Sequence, residues 1–423
     1  MNKLILAPIV LLCCMYLSSN AQSVHEEHCG TSRKMAEQFE VDPNLLEVRQ
    51  QIEEFTQRWI ETEYTSNESR AVVTIPVVVH VVYKTNIQNI SDDQIQSQID
   101  VLNEDYRALN SDINGVPNIW TNRIADCEIE FQLATCDPDG YATNGITRTE
   151  TDVTNWFGSD DVKVTSLGGH DPWPSSDYLN IWVCNIGSGL LGYAYQPGIS
   201  PLLDGVVVGH AYFGLESASN TYDLGRTATH EIGHYLNLDH LWGVQASNPN
   251  CTLDDGVSDT PKQMDPNYGC NRSYPHPSCG SGSNSDMFNN YMDYGNDPCL
   301  FFFTEGQKAR MLAAVNGPRA SLLSSNGLNQ CPVGVEEHIL ESSLNVYPNP
   351  ASDVLNIQSD QKDGLITDIR ILDISGRVVL TQSNQRLGYS AIRLDVSELS
   401  EGAYVLELSS DNEVVTRRIN IVK

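Results

Sequence analysis

The run His230-Glu231-Ile232-Gly233-His234-Tyr235-Leu236-Asn237-Leu238-Asp239-His240 places three imidazoles close in sequence to the Glu231 carboxylate. On a helix, residues four apart share a face, so His230 and His234 can offer nitrogens to a single ion. Glu231 follows the first of them, where its carboxylate faces an activated water instead of the ion. Zinc brings the pKa of such a water toward ~7. The carboxylate then takes a proton as the oxygen attacks a peptide carbonyl, and returns it to the leaving amine. A catalytic zinc needs three protein ligands and one open position. His240 supplies the third if the chain turns sharply after His234. Such a turn needs a residue with positive φ, for which Gly is best and Asn next, and Asn237 stands there. A purely structural zinc in a binding protein would need no base and would be closed by a fourth ligand, so Glu231 speaks for catalysis.

The elements needed to hold this run are visible around it. Val72 to Tyr83 is β-branched and apolar, as a strand buried on both faces would be. Ser91 to Leu109 has helical spacing at Ile95, Ile99 and Leu102, with Ser91 as N-cap and Gln94 three residues on. Strands are expected at Ile129–Ala134, Tyr178–Ile186 and Gly205–Val208, and helices from Leu224 to Leu236 and from Phe303 to Val315. Between the last two, Gly243 to Pro298 is rich in Gly, Pro, Asn, Asp, Ser and Cys, which is loop chemistry. A loop this long is uncommon unless it is functional or cross-linked. These elements read as the fold class α+β. After Cys331, short alternating strands between turn signals such as Ser375-Gly376 read as a C-terminal all-β sandwich.

Length and composition agree. The chain has 423 residues and a formal net charge of −30, enough for two or three folding units and the wrong sign for a phosphate-backbone partner. No nucleic acid is expected. Lys3, the apolar stretch Leu4 to Leu17 and Ser19-Asn20-Ala21 read as a secretory signal cut before Gln22, so the mature chain should carry no transmembrane segment. Four spans follow: a signal peptide at 1–21, a polar segment with a helical pattern from Leu45 to Ile60 at 22–69, a catalytic domain at 70–333 and the sandwich at 334–423. Cys13 and Cys14 leave with the signal, and Cys29 stands alone. Cys127, Cys136, Cys184, Cys251, Cys270, Cys279, Cys299 and Cys331 remain, an even set that permits disulfides in an exported chain without revealing their pairing.

The extended His motif resembles that of metzincin metalloproteases, whose usual pattern has Gly where this chain has Asn237. Asn289-Asn290-Tyr291-Met292-Asp293-Tyr294, followed by Phe303-Thr304-Glu305-Gly306-Gln307, resembles the Met-turn region of the pappalysin family. That resemblance covers about Arg70 to Cys331 and implies a metzincin-like fold, a mixed twisted sheet with an active-site helix. It implies Met292 as an apolar floor beneath the zinc and Tyr294 as a donor to the tetrahedral oxyanion, which fits a neutral O–H aimed at developing charge. It implies Asp297 at the base of an S1′ pocket, hence cleavage before Arg or Lys. A cut at Ser69-Arg70 would then place Arg70 at P1′, an argument for self-activation there. Cys29, in His28-Cys29-Gly30-Thr31, would be a fourth zinc ligand keeping the precursor latent. The stretch Thr252 to Pro261 resembles a calcium site, with Asp254, Asp255, Val257, Asp259 and Thr260 as candidate ligands. Leu191 and Gly192 would lie on an edge strand that pairs with extended protein or peptide substrates. The family pattern also implies Cys251–Cys279 and Cys270–Cys299 disulfides. Val346-Tyr347-Pro348-Asn349-Pro350 and the chain beyond it resemble a C-terminal sorting domain of the type IX secretion system. That machinery becomes an expected partner, with export across an outer membrane to the cell surface or medium. Zinc, and calcium beside it, are the cofactors expected.

Overall fold

A computed structural model describes residues 28–64, 71–187, 189–215, 219, 221–244, 251–280, 285–331, 344–359, 365–388, 390–409 and 414–423. The signal sequence and the Ser69-Arg70 junction lie outside these residues. Chain contacts divide the protein into two compact units. One comprises Met1–Pro138 with Thr143–Asn329, the other Asp139–Ala142 with Gln330–Lys423.

The first unit is built on a six-stranded sheet. Its strands are β1 (Val73–Tyr83), β2 (Ile129–Leu133), β3 (Ile146–Glu150), β4 (Leu179–Cys184), β5 (Gly192–Ala194) and β6 (Val206–Gly209). The order is β2-β1-β4-β6-β5, with β3 also pairing with β1. All pairs are parallel except β5 with β6. Ile75, Val77, Val79 and Val81 of β1 join the main core, while Val78 and Val82 enter two other apolar clusters on the opposite face. Burial on both faces explains an apolar run without alternation.

The helices are α1 (Thr31–Val41), α2 (Asn44–Thr62), α3 (Asp92–Tyr106), α4 (Arg226–Tyr235) and α5 (Glu305–Asn316). Ser91 caps α3 by accepting from Gln94 N at 3.1 Å. That helix ends before the expected Leu109, with Ala108 already at φ 51°. Helix α4 starts two residues later than expected because Gly225 precedes it at φ 76°. Thr304 and Gln307 form a reciprocal capping box at the start of α5. Helix α1 and strand β3 were not expected from the sequence. The long loop is stapled by Cys251–Cys279 and Cys270–Cys299, while Cys127 and Cys184 are buried free thiols.

The second unit pairs its strands antiparallel in two sheets. One contains β7 (Leu344–Tyr347), β8 (Val354–Ser359) and β11 (Ile392–Asp395). The other contains β9 (Leu365–Asp373), β10 (Val378–Leu387), β12 (Gly402–Ser409) and β13 (Val414–Ile421). Leu355, Ile357, Ile369, Ile371, Leu406 and Leu408 are fully buried between them, the alternate residues of half-buried strands.

Candidate active site

Helix α4 presents His230 and His234 on one face, and the chain then reverses. Asn237 has φ 74°, and Leu238 N donates to Gly233 O at 2.9 Å, closing the helix end. This turn brings His240 back. The three Nε2 atoms lie 3.0–3.2 Å from one another. Nitrogens bound tetrahedrally at ~2.0–2.1 Å from a zinc ion would be about 3.3 Å apart, so the triangle fits such an ion. The opposite ring nitrogens agree. His230 Nδ1 is 2.7 Å from Tyr291 O, and His234 Nδ1 is 2.8 Å from Leu238 O. Donation to these carbonyls leaves the lone pair on Nε2, pointing inward. Burial, reinforced for His230 and His240 by neighbouring histidines, pushes all three pKa values down, toward the neutral form that binds metal.

Cys29 completes the group. Its sulfur and the three imidazoles offer ligand atoms all within 4.8 Å of one another, the one such metal-ligating cluster among the described residues. The Cys29 thiol lies 3.3 Å from Glu231 Oε2. Burial first, and the Glu231 charge second, push its pKa well above the ordinary value. A divalent cation held among the four would reverse that balance, since a coordinating thiol is deprotonated outright.

Glu231 also accepts from Thr31 Oγ1 at 3.1 Å, and Thr31 Oγ1 accepts from Ala194 N at 2.9 Å. The segment around Cys29 lies along β5 as a parallel strand would. Leu191 N donates to His28 O at 2.8 Å, and Gly30 N donates to Gly192 O at 2.9 Å. A side chain at Gly192 would start 2.9 Å from Glu231 Cγ, so glycine is what lets strand and carboxylate approach. Met292 lies beneath α4, its sulfur 2.5 Å from where a Cβ on Gly233 would stand. Tyr294 donates to Cys29 O at 3.4 Å.

Asp297 is buried and lines one cavity together with His28, Cys29, His230, Glu231 and Tyr294. Its Oδ2 accepts from Leu224 N at 2.9 Å and Arg226 N at 3.2 Å. Burial pushes its pKa up to about 7 despite these donors.

The five candidate calcium ligands are not all gathered. Thr260 Oγ1 lies 2.7 and 2.9 Å from the Asp255 carboxylate and 2.9 Å from Val257 O. Asp259 instead accepts from Thr304 Oγ1 and Gly306 N at the start of α5. Asp254 accepts from Gly256 N and pairs with Lys262 at 3.2 Å. These two carboxylates have other partners, while Asp255, Val257 and Thr260 are gathered with one another.

Sequence reasoning missed a buried support. One carboxylate, Asp105 at the end of α3, accepts from Thr229 Oγ1 at 2.8 Å and Tyr291 OH at 2.7 Å. It also pairs with Arg226, which holds Asp112 and Asp297 O as well. The residue before His230 and the residue whose carbonyl orients His230 are thereby fixed to one point. No local motif announces it. Thr31 was also missed, although it stands two residues from Cys29.

Residues 164–316 match the family described as pregnancy-associated plasma protein-A, and residues 345–423 match a secretion system C-terminal sorting domain. An extracellular metalloprotease of Arthroderma benhamiae is 32% identical over 264 residues, covering 61% of this chain and 83% of its own length. The chain belongs to the pappalysin family of metzincin metalloproteases. Mature mirolysin of Tannerella forsythia, solved in complex with a cleaved peptide, is 46% identical with a TM-score of 0.58, covering 60% of this chain and 97% of its own. A promirolysin mutant from the same organism is 42% identical with a TM-score of 0.63, covering 70% of this chain and 97% of its own. The larger share for the precursor fits a pappalysin with a zymogen form. This pappalysin is thus a secreted or cell-surface metalloendopeptidase acting on peptides, with zinc as the metal its family implies. Its sorting domain implies the secretion machinery as a partner. No helix among the described residues is long and apolar enough to cross a membrane.

Proposed function

We propose that this enzyme cuts peptide bonds before Arg and Lys, and that residues 22–69 keep it latent through Cys29 until a cut near Arg70 releases them. The observation that carries the reading is a buried Asp297 in the same cavity as Cys29, His230 and Glu231. In this reading His230, His234 and His240 hold zinc through Nε2, with Cys29 as the fourth ligand of the precursor. When bound, the ion supplies a Lewis acid that activates water and polarises the scissile carbonyl. Glu231 takes a proton on its carboxylate from the attacking water and delivers it to the leaving nitrogen. Tyr294 donates a hydrogen bond through its phenol to the oxyanion, and its contact with Cys29 O supports this, because that oxygen is a peptide carbonyl lying in the cleft. Leu191 N and Gly192 O pair with the substrate backbone.

Digestion of a peptide library by the processed enzyme, with sequencing of the new N-termini, tests the specificity. Arg and Lys should dominate at P1′. Asp297→Asn keeps an acceptor for Leu224 N and Arg226 N but removes the charge. The ratio of kcat/KM for Arg over norleucine at P1′ should fall by roughly 10–100-fold, the worth of a hydrogen bond to a charged group. In the native enzyme the same ratio should fall as pH is lowered through about 7, where Asp297 takes up a proton. A ratio independent of both would remove Asp297 from the pocket.

Calcium is assigned to Asp255, Val257 O and Thr260. Burial pushes the Asp255 pKa up to about 7, a cost that a hard cation with oxygen ligands would relieve. Saturating calcium added to calcium-free, zinc-loaded protein should raise Tm by about 5 °C. Asp255→Asn should abolish that rise, and an equal rise in the variant would place the ion elsewhere.

A further inference from the structure

Beside the helix that follows Cys29, a second carboxylate already holds a basic side chain. Asp160, at the start of a short turn, accepts through Oδ2 from Tyr195 OH at 2.7 Å and from Lys34 Nζ at 2.8 Å. Its Oδ1 accepts from Tyr193 OH at 3.1 Å and lies 3.2 Å from Lys163 Nζ. Three of these partners belong to the body of the catalytic module. Tyr193 lies on β5, Tyr195 just beyond it, and Lys163 is anchored to Leu203 O at 2.6 Å. The fourth, Lys34, belongs to α1 and leaves with the pro-segment. Its ammonium is 5% exposed as a residue and stands 5.2 Å from the centre of the Tyr193 ring.

The arrangement suits a cation with a long apolar stem. A carboxylate oriented by two phenols meets the resident Lys163 through Oδ1 and receives the second charge through Oδ2, with the Tyr193 ring beside it. Met35 packs in the same apolar cluster as Tyr193 and Tyr195, and Lys163 Nζ stands 5.1 and 4.5 Å from the centres of those two rings. Strand β5 then leads there directly from the metal cluster. Gly192 pairs beside Cys29, Ala194 N binds Thr31, and Tyr195 reaches Asp160.

We propose that Asp160, with Tyr193 and Tyr195, forms a second subsite for a basic side chain on the N-terminal side of the scissile bond, and that Lys34 occupies it in the precursor. The side assigned to it rests on the reading that Asp297 lies in the S1′ pocket. A substrate with P1′ Arg at Asp297 lays its preceding residues along β5 toward Asp160. The cleft then reads two basic residues flanking the cut.

Peptides carrying Arg at P1′ test this, with each of the four positions before the cut set in turn to Lys or norleucine. For the processed native enzyme, Lys should be favoured about tenfold in kcat/KM at one of these positions, the scale of a partly buried charge-assisted bond. Asp160→Asn should bring that ratio close to 1. A ratio near 1 at every position in the native enzyme overturns the proposal without any variant, and so does a Lys preference that survives Asp160→Asn. A parallel set varying P1′ between Arg and norleucine separates the two readings. Loss of selectivity there with Lys selection intact removes Asp297 and keeps Asp160.

Discussion

Glu231→Gln in the processed enzyme should retain its zinc and lose roughly 10²–10⁴-fold in kcat/KM, the usual contribution of a general base. The argument rests on what the substitution leaves alone. Gln has the same shape as Glu, so the tight approach of Gly192 to the Glu231 side chain is kept. His230 and His234 are oriented by the carbonyls of Tyr291 and Leu238, which the substitution leaves in place. Thr229 and Tyr291 remain tied to Asp105. Only the capacity to take up a proton disappears. Metal content measured beside turnover decides the interpretation. Full zinc with a large loss assigns the proton to Glu231. Full zinc with near-native kcat/KM would sink that role and leave the carboxylate as a contact for Thr31 and Cys29.

How much of this could be read in advance depends on where each partner lies in sequence. Helix α4 and its three imidazoles are local, since ligand spacing, helical period and the Asn237 turn fall in one run. Helix α3 declared itself through Ser91 and the Ile95, Ile99 and Leu102 stripe. Helix α1 did not. Besides Met35 its large apolar residues are Phe39 and Val41, and Val41 is exposed. Its buried face is Thr31, Lys34 and Met35, so a polar face is what it packs. The partners that bury it, Glu231 and Asp160, are more than a hundred residues away. Strand β5 is only three residues long, too short for any period, and was visible only through its resemblance to the family's edge strand. The acidic run after Thr252 shows the same limit from the other side. Its carboxylates read as one cation site, and Thr304 and Gly306, from a helix start more than forty residues on, also donate to Asp259. Local spacing cannot reveal which side chains distant donors have taken.

That distribution of contacts also sets what Cys29→Ala should do to the precursor. If a zinc–thiolate bond is the main lock, its removal opens the fourth position, and the unprocessed chain should gain measurable peptide hydrolysis. Processing should accelerate about tenfold or more, equivalent to at least ~1.4 kcal/mol of lost latency. Complete release is not expected, because much of the segment's hold lies elsewhere. His28 O and Gly30 N still pair with β5, and Lys34 still meets Asp160. Helix α2 keeps the two hydrogen bonds of Glu53 to buried Arg310 at 2.7–2.9 Å and that of Arg49 to Pro197 O, and just beyond it Tyr64 donates to Glu305. Glu53→Gln is therefore the informative companion, since it weakens docking without touching the metal. A time course of precursor loss by gel, beside hydrolysis of a fluorogenic peptide, distinguishes the two. If coverage alone enforced latency, Glu53→Gln would accelerate processing and Cys29→Ala would match the native rate. Cobalt-substituted precursor gives a reading independent of activity. Thiolate coordination produces a sulfur-to-metal absorption band, which Cys29→Ala should remove and Glu53→Gln should leave in place. A native precursor lacking that band would take Cys29 out of the metal's coordination sphere and assign latency to the pairing along β5.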